Sequence, residues 1–391
     1  MTECKIKKMS TFNIVTFICI CTVGSAVLMG AKTLREYAKN NVVLVNFAMF
    51  TIYAIMMCHS LCYAELKEIF PEEGIDNLYV EKIYNSMTGS IYSLILLLIS
   101  NTGSNTIFIF NLKEVFGIPD KFDVLFYGAL SILVSLLTLI PTSYKSKVSK
   151  YLGMLQQAVL LIIAFSLPLS LCLEHKNPLI KKDEKVVQTK ITADAFFRSI
   201  SEIYFSYYGF NEANGLLKEE VGKLYVPYLC STTALYVLYM ILNNFFYAIY
   251  RHDNSPIDYC NVLGFLGKGA KPIYIILCTI LYCVPFVGIS FQNTSNIIYL
   301  RNKHKLHDSF KYLIVALMAL ITFITSFFTM SMLLNLVCAS LIFFSMLSIF
   351  GILIYAKRNP KYQMKIPKSL VLVSGALTAF LFGLNITYMF I

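Results

Sequence analysis
A chain of 391 residues that is 57% hydrophobic and only 14% charged, with a mean hydropathy of +0.66, has too little polar surface to cover a water-soluble fold. The net charge of +11 points to membrane topology rather than to a nucleic-acid partner, because the basic runs flank long apolar stretches instead of forming one face. No phosphate-binding glycine loop, GxSxG elbow or clustered His, Asp and Ser is present, so the sequence predicts a protein that is not an enzyme.

Apolar stretches of about 20 residues, enough to cross a bilayer core of roughly 30 Å, fall near 11–30, 42–64, 88–111, 124–142, 152–173, 195–217, 226–249, 273–299, 312–330, 332–355 and 369–390. They predict an all-α polytopic membrane protein of about eleven transmembrane helices. A single membrane domain over 1–391 is expected, since the longest connection, near 174–194, is the size of an ordinary loop. The first stretch is long and no small-residue cleavage pattern follows it, so it is expected to remain as the first span. Lys and Arg favour the segments 1–10, 65–87, 143–151, 218–225, 300–311 and 356–368, which predicts a cytoplasmic N-terminus. An odd number of spans then leaves the C-terminus outside, and a missed or re-entrant span stays open.

The 11 cysteines lie mostly inside spans, as at Cys19, Cys21, Cys58, Cys62, Cys278, Cys283 and Cys338, and form no CxxC pair. They read as small buried apolar residues. His59, His175, His252, His304 and His307 converge with neither cysteines nor acids. No metal and no cofactor is expected.

Two spans carry residues that a regular spanning helix tolerates poorly. In the first, VGSAVLMGAK (23–32) holds Gly24, Ser25 and Gly30; in the sixth, SYYGFNEANG (206–215) holds Gly209, Asn211, Glu212, Asn214 and Gly215. Backbone left unpaired in lipid is costly unless protein or a cavity satisfies it, so a broken helix predicts a cavity. For the first segment alone, close packing of neighbouring helices explains the glycines as well. Two interrupted spans five apart are what a five-plus-five inverted-repeat transporter fold with broken helices 1 and 6 produces. Repeat one would cover about 11–173, repeat two about 195–355, and an extra helix about 369–390. At such breaks, free N–H groups and freed carbonyls face each other, which suits the two charges of an α-amino acid.

Four segments in order carry a resemblance to a known family. CYAELKEIFPEEGIDNLYVEKIYN (62–85) resembles the signature that follows the second helix of the L-type amino-acid transporters, the light-chain family of the amino acid–polyamine–organocation superfamily. SYYGFNEANGLLKEEV (206–221) is similar to that family's sixth-helix pattern, AKRNPKYQMKIP (356–367) to the linker after its tenth helix, and Gly24-Ser25-Ala26-Val27-Leu28 to its first-helix signature.

The resemblance implies a secondary transporter, exchanger or permease, that moves neutral amino acids across the plasma membrane by alternating access. It implies that backbone N–H groups of Ser25, Ala26 and Val27 hold the substrate carboxylate. Carbonyls of Thr22 and Val23, and of Phe205 and Ser206, would take the amino group, with Phe210 as the aromatic gate and Asn211 as a polar contact. Four departures stand out: Ala26 replaces a glycine, Phe210 replaces the usual Trp, Gln156 stands where many relatives have a fifth-helix lysine, and the twelfth helix is missing. The outer loop near 112–123 has no Cys, so no disulfide-linked heavy chain is expected.

Among intramembrane acids, Glu212 directly follows the expected gate and is the candidate for gating, proton coupling or cation recognition; a quiet contact with an aqueous cavity or with Asn residues is the competing reading. Glu202 lies one turn after Arg198, where the two can pair. Glu65 and the Glu219-Glu220 pair are expected as inner-side capping or salt-bridge groups. Ser290, Asn293 and Thr294 could form an oxygen cage against the first span, or simply bond neighbouring helices. Besides a transporter, an amino-acid-binding sensor without transport stays open, as does a carrier of cationic amino acids or polyamines if Glu212 or Glu202 faces the pocket.

Overall fold
Several helices start where a side chain can satisfy their free ends. The computed structural model describes residues 9–22, 34, 37–38, 41–71, 76–172, 192–215, 222–250, 263 and 269–389, and among these no strand occurs. The helices are α1 (Thr11–Thr22), α2 (Val42–Ile69), α3 (Asp76–Ile83), α4 (Ser86–Phe116), α5 (Asp120–Leu139), α6 (Thr142–Cys172), α7 (Ala193–Ser206), α8 (Tyr225–Tyr250), α9 (Ala270–Lys303), α10 (Phe310–Thr325), α11 (Met330–Arg358) and α12 (Lys368–Met389). Asn41 caps α2 by accepting from the Leu44 amide at 3.1 Å, and Thr192 and Thr329 cap α7 and α11 in the same way. Gly117 ends α4 in the left-handed conformation.

Eight of these helices are long and apolar enough to cross a membrane, which makes the chain a multi-pass membrane protein. They match eight of the expected stretches. Two of the other three stretches hold shorter helices, α10 of 16 residues and α7 of 14, and in the first stretch α1 covers 12 described residues up to Thr22. Two connections differ from expectation. The loop near 112–123 shrinks to a turn between Phe116 and Asp120, closed by ion pairs from Lys113 to Asp120 and Asp123. The segment after α2 contains α3, whose Asp76, Asn77 and Glu81 all find partners on neighbouring helices. The 174–194 connection lies outside the described residues.

Packing sorts most of the helices into two groups. In one, α2 lies along α8, with α1 on α8 and α7 on α2. Ser60 meets Thr232 at 2.7 Å, and the Tyr53 and Tyr236 rings stack with centroids 4.3 Å apart. In the other, α4 packs on α9 and α10, and α5 on α10. There Asn101 donates to Asn293 at 2.7 Å and Thr106 meets Thr325 at 2.7 Å. Polar pairs of this kind contribute about 1 kcal/mol each inside a membrane and fix which faces meet. α12 lies along α11 and reaches α2 through a 2.8 Å bond between Thr378 and His59. A π turn at Leu96–Ser100 within α4 leaves Ser100 bonded to Ser340 of α11 at 2.7 Å.

Candidate functional site
The sixth apolar stretch stops being α-helical after Ser206. Tyr207 and Tyr208 turn back onto the carbonyls of Tyr204 and Phe205, Gly209 adopts φ +103°, and a short 3-10 helix runs from Phe210 to Gly215. Only glycine adopts that φ without strain. It also has to be small: a Cβ on Gly209 would lie 2.6 Å from the Cys21 carbonyl oxygen and 3.5 Å from the Thr22 Cα. The break in the sixth stretch therefore touches the end of α1 backbone to backbone.

Thr22 is buried there, its hydroxyl donating to the Ile18 carbonyl at 2.8 Å. Two of the four carbonyls named for the substrate amino group, those of Phe205 and Ser206, have partners. Phe205 O accepts from the Tyr208 amide, and Ser206 O accepts from the Tyr239 hydroxyl at 2.8 Å. Val23, Ser25, Ala26 and Val27 lie outside the described residues, as does the Glu219-Glu220 pair; for Glu212 only the backbone is described.

Phe210 is buried, its ring edge-on to Tyr63 with centroids 5.1 Å apart and to Tyr228 at 6.2 Å. The 3-10 helix is pinned from two sides. Asn214 donates to the Tyr63 carbonyl at 3.0 Å and accepts from Tyr228 at 2.7 Å, while buried Lys67 of α2 donates to the Asn214 carbonyl at 2.8 Å.

Asn211 leads to a residue that sequence reading passed over. Its Nδ2 donates to Oδ2 of Asp76 at 2.7 Å, and the hydroxyls of Tyr92 and Tyr63 donate to the same oxygen at 3.2 and 3.4 Å. Burial pushes the Asp76 carboxyl up to about 6, against these three hydrogen bonds, which pull it down. Asp76 is held in place by α3, which Asn77 ties to Ser93 at 2.8 Å and to Asn296 at 3.2 Å. Asp76, Tyr63, Tyr92, Phe210, Asn211 and Ser345 line a cavity of about 10 Å³, the room that roughly one water molecule needs.

One expectation needs correcting. Arg198 pairs with Asp194 at 3.0 Å, one turn before it, and not with Glu202, one turn after it, which is buried. Ser290, Asn293 and Thr294 follow the second of their two readings and bond neighbouring helices: Lys145 of α6 donates to the Ser290 carbonyl at 2.9 Å and to the Thr294 hydroxyl at 2.6 Å, and Asn293 accepts from Asn101. Lys145 is thus a cation that α6 presents to α9, and Gln156 is a buried neutral group further along the same helix. Glu65 does tie elements together, accepting from Tyr225, from Tyr362 at 2.6 Å and from the Lys365 amide at 2.9 Å.

Among the described residues no group of three or more His, Cys, Asp or Glu could hold a metal ion. No protein-family model matches the chain, and no curated protein does.

Proposed function
We propose that this chain is a secondary transporter that moves amino acids by alternating access, built as a five-plus-five inverted repeat and related to the L-type amino-acid transporters. The observation that supports this most is the contact of Gly209 with the Cys21–Thr22 peptide, because it brings the break in the sixth apolar stretch against the first stretch, five before it in the chain, at the point where Gly24 and Ser25 follow in the sequence. The packing supports it further. Helices equivalent in the two repeats lie against one another, α2 with α8, α4 with α9 and α5 with α10. In this reading α1, α2, α7 and α8 rock against α4, α5, α9 and α10, and the substrate's amino and carboxyl groups sit at the two helix ends.

Uptake of labelled amino acids into proteoliposomes, with and without unlabelled amino acid inside and at two pH values, tests it. Uptake that depends on internal amino acid identifies an exchanger, and uptake without that dependence a permease. Binding without uptake identifies a sensor and rules the transporter out.

A further inference from the structure
The cavity beside Phe210 and Asn211 has a chemistry of its own. Among the described residues, Asp76 is the one carboxylate that lines it, and no Lys, Arg or His does. All three hydrogen bonds that Asp76 accepts through its carboxylate end on Oδ2, so Oδ1 takes none of them. Asn211, having spent its Nδ2 on Asp76, keeps its Oδ1 buried and without a partner among the described residues. The remaining wall is aromatic, with Tyr63, Tyr92 and Phe210 among its rings. A negative charge, an Asp76 Oδ1 and an Asn211 Oδ1 that take no hydrogen bond from the described residues around the cavity, and π faces all favour a cation.

Size and ligand count narrow the choice. A hard divalent metal collects six or more oxygens, more than a wall of aromatic rings supplies. A guanidinium is several times larger than the room of about one water. An ammonium group is water-sized and donates three hydrogen bonds.

We propose that this cavity is a subsite for one primary ammonium group, and that it selects substrates bearing a side-chain amine. The second half rests on the transporter reading; the first does not. Asp76 and Asn211 supply the acceptors, and the subsite shares Phe210 and Asn211 with the helix break where the rest of an amino acid would lie. At pH 7.5 the carboxylate is charged, since its raised value of about 6 still lies below that pH.

Two measurements on the purified full-length protein separate the claims. Methylammonium should raise the melting midpoint of the wild type at pH 7.5, with guanidinium weaker, and should fail to do so for Asp76→Asn. Ser345→Leu, which fills the space and leaves the charge, should abolish the response too and covers the case in which Asp76→Asn folds poorly. In proteoliposomes, lysine should exchange about tenfold faster than the uncharged isostere norleucine, as expected for losing a hydrogen-bonded charge, and Asp76→Asn should cut that ratio about tenfold.

A methylammonium shift that is absent from the wild type, or equal in all three proteins, overturns the subsite. Equal exchange of lysine and norleucine overturns the selection of side-chain amines. A methylammonium response confined to the wild type in a protein that exchanges no amino acid leaves the subsite standing and overturns the transporter.

Discussion

Gly209 sits so close to Cys21 that a single added methyl group would lie 2.6 Å from the Cys21 carbonyl oxygen. Gly209→Ala therefore combines backbone strain at φ +103°, about 1–3 kcal/mol, with a clash against backbone that cannot swing aside. Amino-acid exchange should be lost and the melting midpoint should fall. Gly117 has a positive φ of 61° but open space around it, so Gly117→Ala should cost only about 1 kcal/mol and leave exchange intact. Equal effects at the two glycines would refute the role of the Gly209 contact.

Stability should depend on pH through Asp76. Its carboxyl is raised to about 6 in the folded chain, above the unfolded value near 3.9. The folded state thus binds the extra proton between those values, and stability falls as pH rises from about 4 to 6. Among the described residues, the titratable groups that line the cavity with it are the tyrosines Tyr63, Tyr92, Tyr204 and Tyr208. The melting midpoint of Asp76→Asn relative to wild type should therefore rise between pH 5 and 7.5. A difference independent of pH would contradict the assignment.

Lys145 joins three helices, donating to carbonyls of Thr138 and Ser290 and to the Thr294 hydroxyl. Lys145→Met keeps the apolar stem and removes the ammonium, leaving buried acceptors unpaired, so a loss of about 2 kcal/mol in stability is expected. Thermal or denaturant unfolding in detergent measures it; an unchanged midpoint would mean that the lysine bridges nothing of consequence.

Glu65 holds the connection between α11 and α12 against the end of α2, with Lys365 adding an ion pair to Glu68. Glu65→Ala should free that connection. Hydrogen exchange and protease cleavage within 359–367 should rise several-fold, while peptides of α4 and α9 stay protected. Equal protection in both proteins would show that the strap does not depend on Glu65.

Much of this was legible from residue order, and the exceptions have physical causes. Long apolar runs define spans through length alone, which is why α2, α4 and α8 fall where hydropathy puts them. The break at 206–215 was legible because Gly and Asn residues in mid-membrane have no ordinary role there. Arg198 had acids at both i−4 and i+4, and helical periodicity cannot choose between them; the exposed Asp194, N-terminal to the cation, is the better-oriented partner. Asp76 and Lys145 were missed for a common reason. Each lies in a charged connecting segment that reads as solvated, and only tertiary packing closes aromatic rings over Asp76 and places Lys145 against α9.

The rate at which a maleimide modifies Cys21, read by mass spectrometry of its peptide in the purified full-length protein, reports on the point where Gly209 meets the first apolar stretch, since the Cys21 peptide makes that contact while its thiol lies at the protein surface. A bound amino acid occupying that junction should slow the reaction several-fold, in proportion to its ability to exchange, and Gly209→Ala should abolish the protection. A modification rate indifferent to amino acids that the protein demonstrably exchanges would place the substrate elsewhere and contradict the site described above.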